Sequence, residues 1–335
     1  MLETQADATK TVSEQRKHDG WGRVAVWLTP LRTTPPSGQY RAMRIAIVSG
    51  APSRTDQELA SVRARGLEVV HVTPAEAVAS LVPGDVALGR LDVRPELDGV
   101  DDGLWSLGVL AARGITVLKA PGTLVAAHDK LLTARILRRA GLPHPETWHV
   151  RPGRPYDGPP APLVLKPRHG SWGRHVTLCE TDDALRSELR AVRDEPWFRQ
   201  HGALVQELVP PTGSDLRLVV AGGKVVGAVS RVAKEGEWRT NVALGATRVP
   251  LDPPAAAVEL ALASARALGA SLVGVDLMPT PGGGPTILEI NGSVEFTHEY
   301  RVCRDVFRAT VLELARVAAE EAARDRPSGA DPVLV

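Results

Sequence analysis

The sequence has few cysteines and no long apolar run. Its 335 residues include only two cysteines, Cys179 and Cys303, which excludes a disulfide framework and a cysteine-based metal site. No stretch approaches the ~18 consecutive apolar residues of a membrane-spanning helix. The net charge of +1 argues against the basic surface that nucleic acids require. We therefore expect a cytoplasmic protein with no membrane and no nucleic-acid partner.

Lysine and asparagine are also scarce, so each one that is present carries more information. The chain contains 33 arginines but only 7 lysines and 2 asparagines. Hydrophobic residues make up 43% of the chain and charged residues 24%, which is ordinary for a folded globular protein. At this length we expect two or three lobes rather than one small core.

We divide the chain into five segments. Residues 1–42 lack sustained periodicity and mix polar residues with prolines, which predicts a disordered extension. Met43 opens a strand-like stretch, MRIAIVSG, and is a candidate start of translation. We place an N-terminal α/β domain at 43–125, a central lobe at 126–206, a C-terminal lobe at 207–323 and a tail at 324–335.

Strand-like and helix-like segments alternate from Met43 to Leu118. This alternation predicts a parallel sheet covered by helices. The loop SGAPSR after the first strand is not the glycine fingerprint of a dinucleotide site. An oxidoreductase that uses NAD in this domain therefore has little support, and NAD-induced thermal stabilisation would test it.

The central lobe carries two of the scarce lysines. One helix is predicted over Leu124–Ala140, with Lys130 inside it. The apolar strand LVLK ends at Lys166, and Gly170 and Gly173 follow in the loop HGSWG. A glycine hairpin of this kind can close its backbone amides over a phosphate. Such hairpins are common, so this signal alone is weak.

A polar stretch precedes the last strands. The segment SRVAKEGEWRTN places three cations within nine positions, namely Arg231, Lys234 and Arg239. One interpretation is a solvated loop. The other is a site for an anionic ligand, which the cations would attract toward carboxylates further along the chain.

Three oxygen-bearing side chains interrupt the two apolar strands of LVGVDLMPTPGGGPTILEIN at 272–291. They are Asp276, Glu289 and Asn291. Glu289 and Asn291 share one face of their strand because alternate residues point the same way. Two carboxylates and one amide on adjacent strands suit a hard divalent cation such as Mg²⁺. A hairpin with one polar face is the alternative interpretation.

Taken in order, seven motifs resemble the ATP-grasp superfamily, and within it the RimK-like ligases that join an amino acid to a peptide or protein carboxylate. The motifs are HDK at 128–130, LVLKPRHGSWGRHV at 163–176, LVQEL at 204–208, SDLR at 214–217, RVAKEGEWRTN at 231–241, VGVDLM at 273–278 and LEIN at 288–291. Each motif is weak alone, but the ordered series is specific. Of the five lysines after Met43, three fall on motif positions, as do both asparagines.

The resemblance implies an α/β ATP-grasp fold with an N-terminal parallel-sheet pre-ATP-grasp domain, a glycine lid in the central lobe and a metal site in the C-terminal lobe. It also implies a role for each matching residue. The implied ATP-binding residues are Lys130, Lys166, Gly170, Ser171, Gly173, Gln206, Glu207, Leu208, Val209, Asp215 and Lys234. In this set the first two lysines hold phosphates, 207–209 is the hinge that reads adenine, and Asp215 reaches the ribose.

The resemblance implies two further groups of residues. Contacts to the transferred phosphate and the acyl oxygen are implied for Arg231, Arg239 and Asn241. Coordination of Mg²⁺ (or Mn²⁺) is implied for Asp276, Glu289 and Asn291.

The implied activity is an ATP- and Mg²⁺-dependent, ADP-forming carboxylate–amine ligase that makes an amide bond through an acylphosphate. Its expected partners are a glutamate-like amino acid and a peptide, protein or carrier-protein carboxylate. Relatives often form dimers or tetramers, so a homo-oligomer belongs to the expectation. The alternative is a non-catalytic ATP-binding regulator of the same fold. Such a protein is expected to lose metal ligands or phosphate lysines, and this sequence keeps all five.

Two stretches depart from the family pattern on the substrate side. After RTN the family commonly continues to Arg-Gly-Gly, whereas Leu244 stands at that arginine. After LEIN many relatives have Ser-Pro-Gly, whereas this chain has GSVEF. The pair Glu295–Phe296 resembles relatives that load an amino acid onto a carrier protein with a C-terminal glutamate. The substrates are therefore less well specified than ATP and Mg²⁺.

The metal assignment predicts that Asp276→Asn and Glu289→Gln each abolish turnover without unfolding the protein. Each change removes a charge and keeps the side-chain shape. ATP consumption and thermal denaturation of the two variants measure the two halves of this prediction, and near-normal ATP consumption by either variant would contradict the assignment.

Overall fold

Residues 42–280, 284–300 and 305–324 are described by the structure, which is a computed structural model. Apart from residue 42, the predicted disordered extension lies outside these ranges. The predicted tail lies outside them apart from residue 324. The boundaries between the five segments stay predictions, because the described residues all belong to one compact unit.

The N-terminal part is a four-stranded parallel sheet covered by helices, as the alternating pattern predicts. Its strands stand in the order β2-β1-β3-β4. The elements are β1 (Met43–Val48), α1 (Arg54–Ser61), β2 (Leu67–Val72), α2 (Pro74–Ser80), β3 (Val86–Gly89), α3 (Leu104–Ala112) and β4 (Thr116–Leu118). Capping boxes begin α1 at Ser53 and α2 at Thr73, where each hydroxyl accepts a hydrogen bond from the backbone N–H three residues on.

The helix predicted over Leu124–Ala140 is two helices, so that prediction is wrong in its continuity. They are α4 (Pro121–His128) and α5 (Lys130–Arg139). Asp129 breaks the run with an extended backbone and accepts hydrogen bonds from the backbone N–H groups of Leu131 and Leu132. This N-cap satisfies donors that a helix start leaves without partners. Lys130 is consequently the first residue of α5.

The central part is a four-stranded antiparallel sheet in the order β5-β8-β6-β7. Its elements are β5 (Thr147–Val150), β6 (Leu163–Pro167), β7 (Thr177–Cys179), α6 (Asp182–Ala191), α7 (Pro196–His201) and β8 (Ala203–Glu207). Strand β6 is buried along its whole length, which explains its uninterrupted apolar sequence. Lys166 near its end is the only charged residue of that strand.

The C-terminal part is a five-stranded antiparallel sheet in the order β11-β10-β9-β12-β13. Its elements are β9 (Ser214–Ala221), β10 (Lys224–Val232), β11 (Thr247–Pro250), α8 (Ala255–Leu268), β12 (Leu272–Met278), β13 (Thr286–Asn291) and α9 (Val306–Arg324). Short 3₁₀ turns cover Val242–Leu244 and His298–Tyr300. None of the helices in the described ranges combines the length and the apolar character needed to cross a bilayer.

The C-terminal sheet has a different neighbour on each face. Leu218 and Val220 of β9 point into a core shared with α8. Val219 and Ala221 point the other way, into a core shared with α9 and with the N-terminal sheet. Asp215 and Arg217 lie on the same face as Val219, because side chains alternate along a strand. One face of the sheet is therefore apolar at one end and polar at the other.

Gly227 in β10 marks a very close contact between the C-terminal sheet and the residues Tyr300 and Val306. An added Cβ there would lie 2.4 Å from the carbonyl oxygen of Tyr300 and 2.9 Å from Val306 Cγ2. We predict that Gly227→Ala lowers the free energy of unfolding by about 1–3 kcal/mol, because the backbone of Tyr300 must move to make room for the added methyl group. In urea denaturation, Gly108→Ala is the matched control. Gly108 lies in α3 with nothing within 4 Å of an added Cβ, so this change should be neutral or stabilising. Equal stabilities of both variants would contradict the packing.

Candidate active site

One cleft collects the residues that the sequence assigns to the site. Every predicted ATP-binding, catalytic and metal-ligating residue lines it, with the exception of Lys234. Lys234 is exposed, and its aliphatic chain packs against Gly245. The predicted role of Lys234 in nucleotide binding therefore has no support from its position.

Strand register explains why distant residues meet in this cleft. Across the C-terminal sheet, Arg231 stands opposite Asp215, and Asp276 stands opposite both Arg217 and Glu289. Residues directly opposite each other on antiparallel strands point to the same side of the sheet. The result is a row of charged side chains that crosses the strands at the polar end of the sheet.

Asp276 is a buried carboxylate of this row, at 3% exposure. Arg217 donates to it through two hydrogen bonds of 2.6 Å, and Arg231 adds a third of 3.0 Å. Burial raises the pKa of Asp276, but the two guanidinium groups outweigh burial and lower it to about 2. Asp276 is therefore ionised at neutral pH despite its burial.

Asp215 orients Arg231 rather than standing free in the cleft. Its two oxygens accept from Arg231 Nε at 2.7 Å and from Arg231 Nη2, and one of them also accepts from Thr240 Oγ1 at 2.6 Å. Asp215 is 1% exposed. The implied contact of Asp215 with a ribose stays a prediction. In the structure, Asp215 holds the guanidinium group of Arg231.

Glu289 and Lys130 join two parts of the chain. Lys130 Nζ lies 2.9 Å from Glu289 Oε1 and also donates to the carbonyl oxygen of Gly170 in the glycine hairpin. The position of Lys130 at the start of α5 is set by the Asp129 cap and by the Arg168 guanidinium that pairs with Asp129. The helix break therefore points this lysine into the cleft.

Lys166 is buried at the end of β6, where its Nζ donates to Gln206 Oε1 at 2.7 Å. The amide nitrogen of Gln206 donates in turn to Thr147 Oγ1 at 2.8 Å. Burial and the nearby Lys130 charge lower the pKa of Lys166, while Glu289 raises it, and the resulting pKa is about 8. A lysine so enclosed gains most from a ligand that brings negative charge.

The glycine hairpin rests against the polar loop of the C-terminal part. An added Cβ at Gly173 would lie 2.7 Å from Asn241 Oδ1. Arg239 Nη1 donates to the carbonyl oxygens of Gly173 and Val176, while Arg239 also pairs with Glu237. Trp172 at the tip has a positive φ of 64° and is half exposed. Arg239 thus holds the hairpin and Asn241 packs closely against it, and their implied catalytic contacts stay predictions.

The end of β8 and the segment after it line another part of the cleft wall. Glu207 is exposed, and its backbone N–H donates to the carbonyl oxygen of Glu146 at 2.9 Å. Leu208 and Val209 follow it along the cleft wall. The resemblance expects an adenine here, and Leu208 and Val209 give this part of the wall an apolar character before the prolines at 210 and 211. Adenine binding at 207–209 stays a prediction.

Two buried cations that the sequence reading missed hold the loop after β13. Arg90 donates to the carbonyl oxygen of Val294 at 2.9 Å and to Glu295 Oε1 at 2.7 Å, and its charge is balanced by Asp56. Lys119 Nζ donates to the carbonyl oxygen of Gly292 at 2.5 Å. The N-terminal part therefore positions GSVEF beside the cleft. The scarcity of lysine could have singled out Lys119, because it is one of only five lysines after Met43.

The oxygen donors predicted for a metal fit a magnesium ion in their chemistry. Asp276 and Glu289 face the same side from paired strands, and Asn291 follows two residues later with an amide nitrogen that has no partner among the described residues. Two carboxylates and an amide leave places for water and phosphate, as Mg²⁺ prefers. In the described ranges no cluster of three or more His, Cys, Asp or Glu side chains is arranged for a metal. Mg²⁺ binding thus stays a prediction.

The fold and the sequence now identify the class of protein. The chain resembles the D-alanine–D-alanine ligase of Bacillus anthracis complexed with ATP, with a TM-score of 0.61 and 20% identity over 84% of this chain and 100% of that one. It also resembles a RimK domain ATP-grasp protein of Sphaerobacter thermophilus, with a TM-score of 0.56 and 24% identity over 82% and 99%. The fold is therefore that of the ATP-grasp ligases.

A sequence profile described as the RimK-like ATP-grasp domain matches residues 127–306. The chain belongs to the RimK-like ATP-grasp family, as the ordered motifs indicate. The predicted α/β fold class and ligase class are confirmed with it.

Several proteins of similar sequence match this chain over different shares of its length. A probable alpha-L-glutamate ligase of Parasynechococcus marenigrum is 36% identical over 54% of this chain, but the match covers only 39% of that protein. The glutamate–LysW ligase ArgX of Sulfurisphaera tokodaii is 30% identical over 64% of this chain and 78% of that protein. A probable alpha-L-glutamate ligase 2 of Shewanella frigidimarina is 32% identical over 75% and 89%.

The pKa of Lys166 predicts how nucleotide affinity changes with pH. A lysine of pKa about 8 is mostly protonated at pH 7 and about 3% protonated at pH 9.5. If Lys166 holds a phosphate, ADP binding should weaken by up to about 30-fold across this range, because only the charged form attracts the anion. Calorimetric titration with ADP at both pH values measures the change.

Lys166→Arg is the control for this experiment, since a guanidinium group stays charged at pH 9.5. Its ADP affinity should change little with pH. An equally steep loss in Lys166→Arg would assign the pH dependence to another group and contradict the role of Lys166.

Proposed function

We propose that this protein is an ATP- and Mg²⁺-dependent carboxylate–amine ligase that joins a glutamate-like amino acid to a peptide, protein or carrier-protein carboxylate. One observation carries the proposal. Lys130, Lys166 and Arg231 converge with Asp276 and Glu289 on a single cleft, although they come from five different secondary-structure elements. Cations for phosphate beside oxygen donors for a divalent ion are what transfer of a phosphoryl group requires.

The chemistry has two steps. An oxygen of the substrate carboxylate attacks the γ-phosphorus of ATP, which breaks the bond to ADP and leaves an acylphosphate. The amine nitrogen then attacks the acyl carbon, and collapse of the tetrahedral intermediate forms the amide and releases phosphate and a proton. Activation is necessary because a free carboxylate is a poor electrophile.

The cations of the cleft suit the first step. Lys130 and Lys166 would hold the ATP phosphates, and their charges would offset the repulsion between ATP and the attacking carboxylate. Mg²⁺ held by Asp276, Glu289 and Asn291 would supply further neutralisation of charge on the phosphates. Enclosure by the glycine hairpin, which Arg239 ties to the rest of the cleft, would keep water from the acylphosphate.

Arg231 suits the second step. Asp215 and Asp276 fix its guanidinium group from two sides, so it needs little reorganisation to stabilise an oxyanion on the acyl carbon. Losing one such donor typically costs ~100- to 1,000-fold in rate. The fixed geometry of the group and its place in the cleft support this role.

The names of the relatives support the substrate class. Two matched relatives are named for glutamate ligation, and others are named for ligation of glutamate or alpha-aminoadipate to LysW. An acidic amino acid and a carrier-protein or peptide acceptor are therefore the first substrates to test. Glu295 lines the cleft in the loop that Arg90 holds, which is consistent with an acceptor bound nearby, whereas Phe296 is buried in the core.

The proposal is tested by ADP release. Purified protein is incubated with ATP, MgCl₂, twenty amino acids and peptides that end in glutamate, and the peptides are then weighed by mass spectrometry. The proposal predicts ADP and phosphate in equal amounts and a peptide that gains the mass of one or more amino-acid residues. A non-catalytic regulator of the same fold would bind ATP without either product, and that outcome would decide for the alternative.

Glu289→Gln is the sharper of the two metal-site variants. Glu289 is partly exposed and has one cationic partner, so loss of its charge should spare the fold and lower kcat by about 100-fold or more. Rates of ADP formation at saturating ATP measure this. Glu235→Gln, an exposed glutamate outside the cleft, is the control and should keep the wild-type rate.

The structure changes the expectation for Asp276→Asn. Removing this charge leaves Arg217 and Arg231 buried with less compensation, which typically costs about 3–5 kcal/mol. We therefore expect this variant to lose stability as well as turnover, contrary to the expectation drawn from side-chain shape alone. Thermal denaturation separates the variants, and wild-type stability of Asp276→Asn would contradict the observed ion pairs.

A further inference from the structure

Arg248 is a cation of the cleft that the proposed chemistry does not use. It lies on β11, the edge strand of the C-terminal sheet, directly opposite Arg231 on β10. Its side chain lines the cleft and is 24% exposed. The single hydrogen bond it makes among the described residues runs from Nη1 to Glu299 Oε2 at 3.4 Å, which is long.

The pairing of Arg248 with Arg231 is unfavourable unless an anion joins them. Like charges directly opposite each other on antiparallel strands repel, because their Cβ atoms are only ~5 Å apart. Asp215 and Asp276 balance the charge of Arg231. In the described part of the chain, Arg248 has the half-exposed Glu299 as its ion-pair partner, and its buried Nε has no hydrogen-bond partner. A buried donor without a partner is costly, and a bound acceptor would remove that cost.

The place of Arg248 in the sheet argues for a carboxylate rather than for the ATP phosphates. Strand β11 is three strands away from β12, which carries Asp276. At ~4.8 Å per strand this separates the two strands by about 14 Å. Lys130, which the proposed function assigns to phosphate, contacts Glu289 on β13, one strand further still. Arg248 thus stands beside the residue proposed for the acyl centre and on the side away from the metal ligands.

We propose that Arg248 binds a carboxylate of the amino-acid substrate that is not itself phosphorylated. This inference rests on the proposed ligase function and adds its substrate-recognition residue. The shared chemistry is a planar carboxylate held by a guanidinium group, for which arginine offers two parallel donors and lysine does not. The carboxylate has two sources, the α-carboxylate of the amino acid or the side-chain carboxylate of a glutamate-like one.

Equilibrium binding tests the proposal without requiring turnover. L-glutamate and L-glutamine are titrated separately into the protein saturated with ADP and MgCl₂, and heats of binding are measured. We expect Arg248→Gln to weaken L-glutamate binding by about 10- to 100-fold, since a hydrogen-bonded charge pair is lost. Arg248→Lys should recover part of the affinity. Affinity for ADP should stay within about twofold of the wild type in both variants.

The two amino acids distinguish the sources of the carboxylate. If Arg248→Gln weakens both amino acids alike, the bound group is the α-carboxylate. If the wild type prefers L-glutamate and the variant loses only that preference, the bound group is the side-chain carboxylate. Arg186→Gln, which removes an exposed arginine paired with Asp183, controls for the change in net charge and should bind as the wild type does.

Three outcomes would overturn the proposal. They are unchanged L-glutamate affinity in Arg248→Gln, an equal loss of ADP affinity in that variant, and absence of binding of either amino acid to the wild type. These outcomes differ from failure of the ligase function itself. If the protein is not a ligase, the substrate panel will release no ADP.

Discussion

The burial of Asp276 in a fully buried strand is the constraint on which the rest of the site depends. An ionised carboxylate at that depth requires cations within hydrogen-bond distance, and Arg217 and Arg231 supply them from β9 and β10. Arg231 in turn requires Asp215, which is held by Thr240 from the polar loop. Strand order, strand register and the path of that loop are therefore tied together by one connected set of charges. The same set leaves a fixed guanidinium group facing the cleft.

The N-terminal sheet contributes to the cleft through contacts that are distant in sequence. Arg90 and Lys119 reach the loop after β13, to residues 204 and 173 positions away. Both cations are buried, so the loop is held by hydrogen bonds shielded from water. Residues that flank β13 thereby keep their place beside the cleft. The N-terminal part is consequently a wall of the site as well as a separate layer of the fold.

Much of the fold was predictable because local patterns carried it. Alternating strands and helices predict the parallel sheet, and seven ordered motifs predict a single cleft. The helix break was missed because apolar residues stand on both sides of Asp129, although aspartate favours the N-cap position it takes. Its pairing with Arg168, 39 residues away, carries no local signal. The role of Arg217 could not be predicted either. The alternation of residues predicts which face of β9 carries Arg217, but it does not predict that Arg217 stands opposite Asp276 on β12.

The site residues divide in the same way. Scarcity singled out Lys130, Lys166, Asn241 and Asn291, and all four line the cleft. Lys234 is the exception and does not line the cleft, because a motif position says nothing about which way an exposed loop turns its side chains. Arg90 and Arg248 were lost among 33 arginines, where frequency carries no signal. Arg90 and Arg248 can be distinguished from surface arginines only by their packing and strand pairing in the structure.

The central claim is that a carboxylate is activated by transfer of phosphate in this cleft, and the fate of the carboxylate oxygens tests it most directly. An acid substrate that carries ¹⁸O in both carboxylate oxygens is incubated with ATP, Mg²⁺ and the amine, and the released phosphate is analysed by mass spectrometry. The account predicts one ¹⁸O atom in each phosphate, because the attacking oxygen leaves with phosphorus when the amide forms. Unlabelled phosphate released together with the amide product would contradict it.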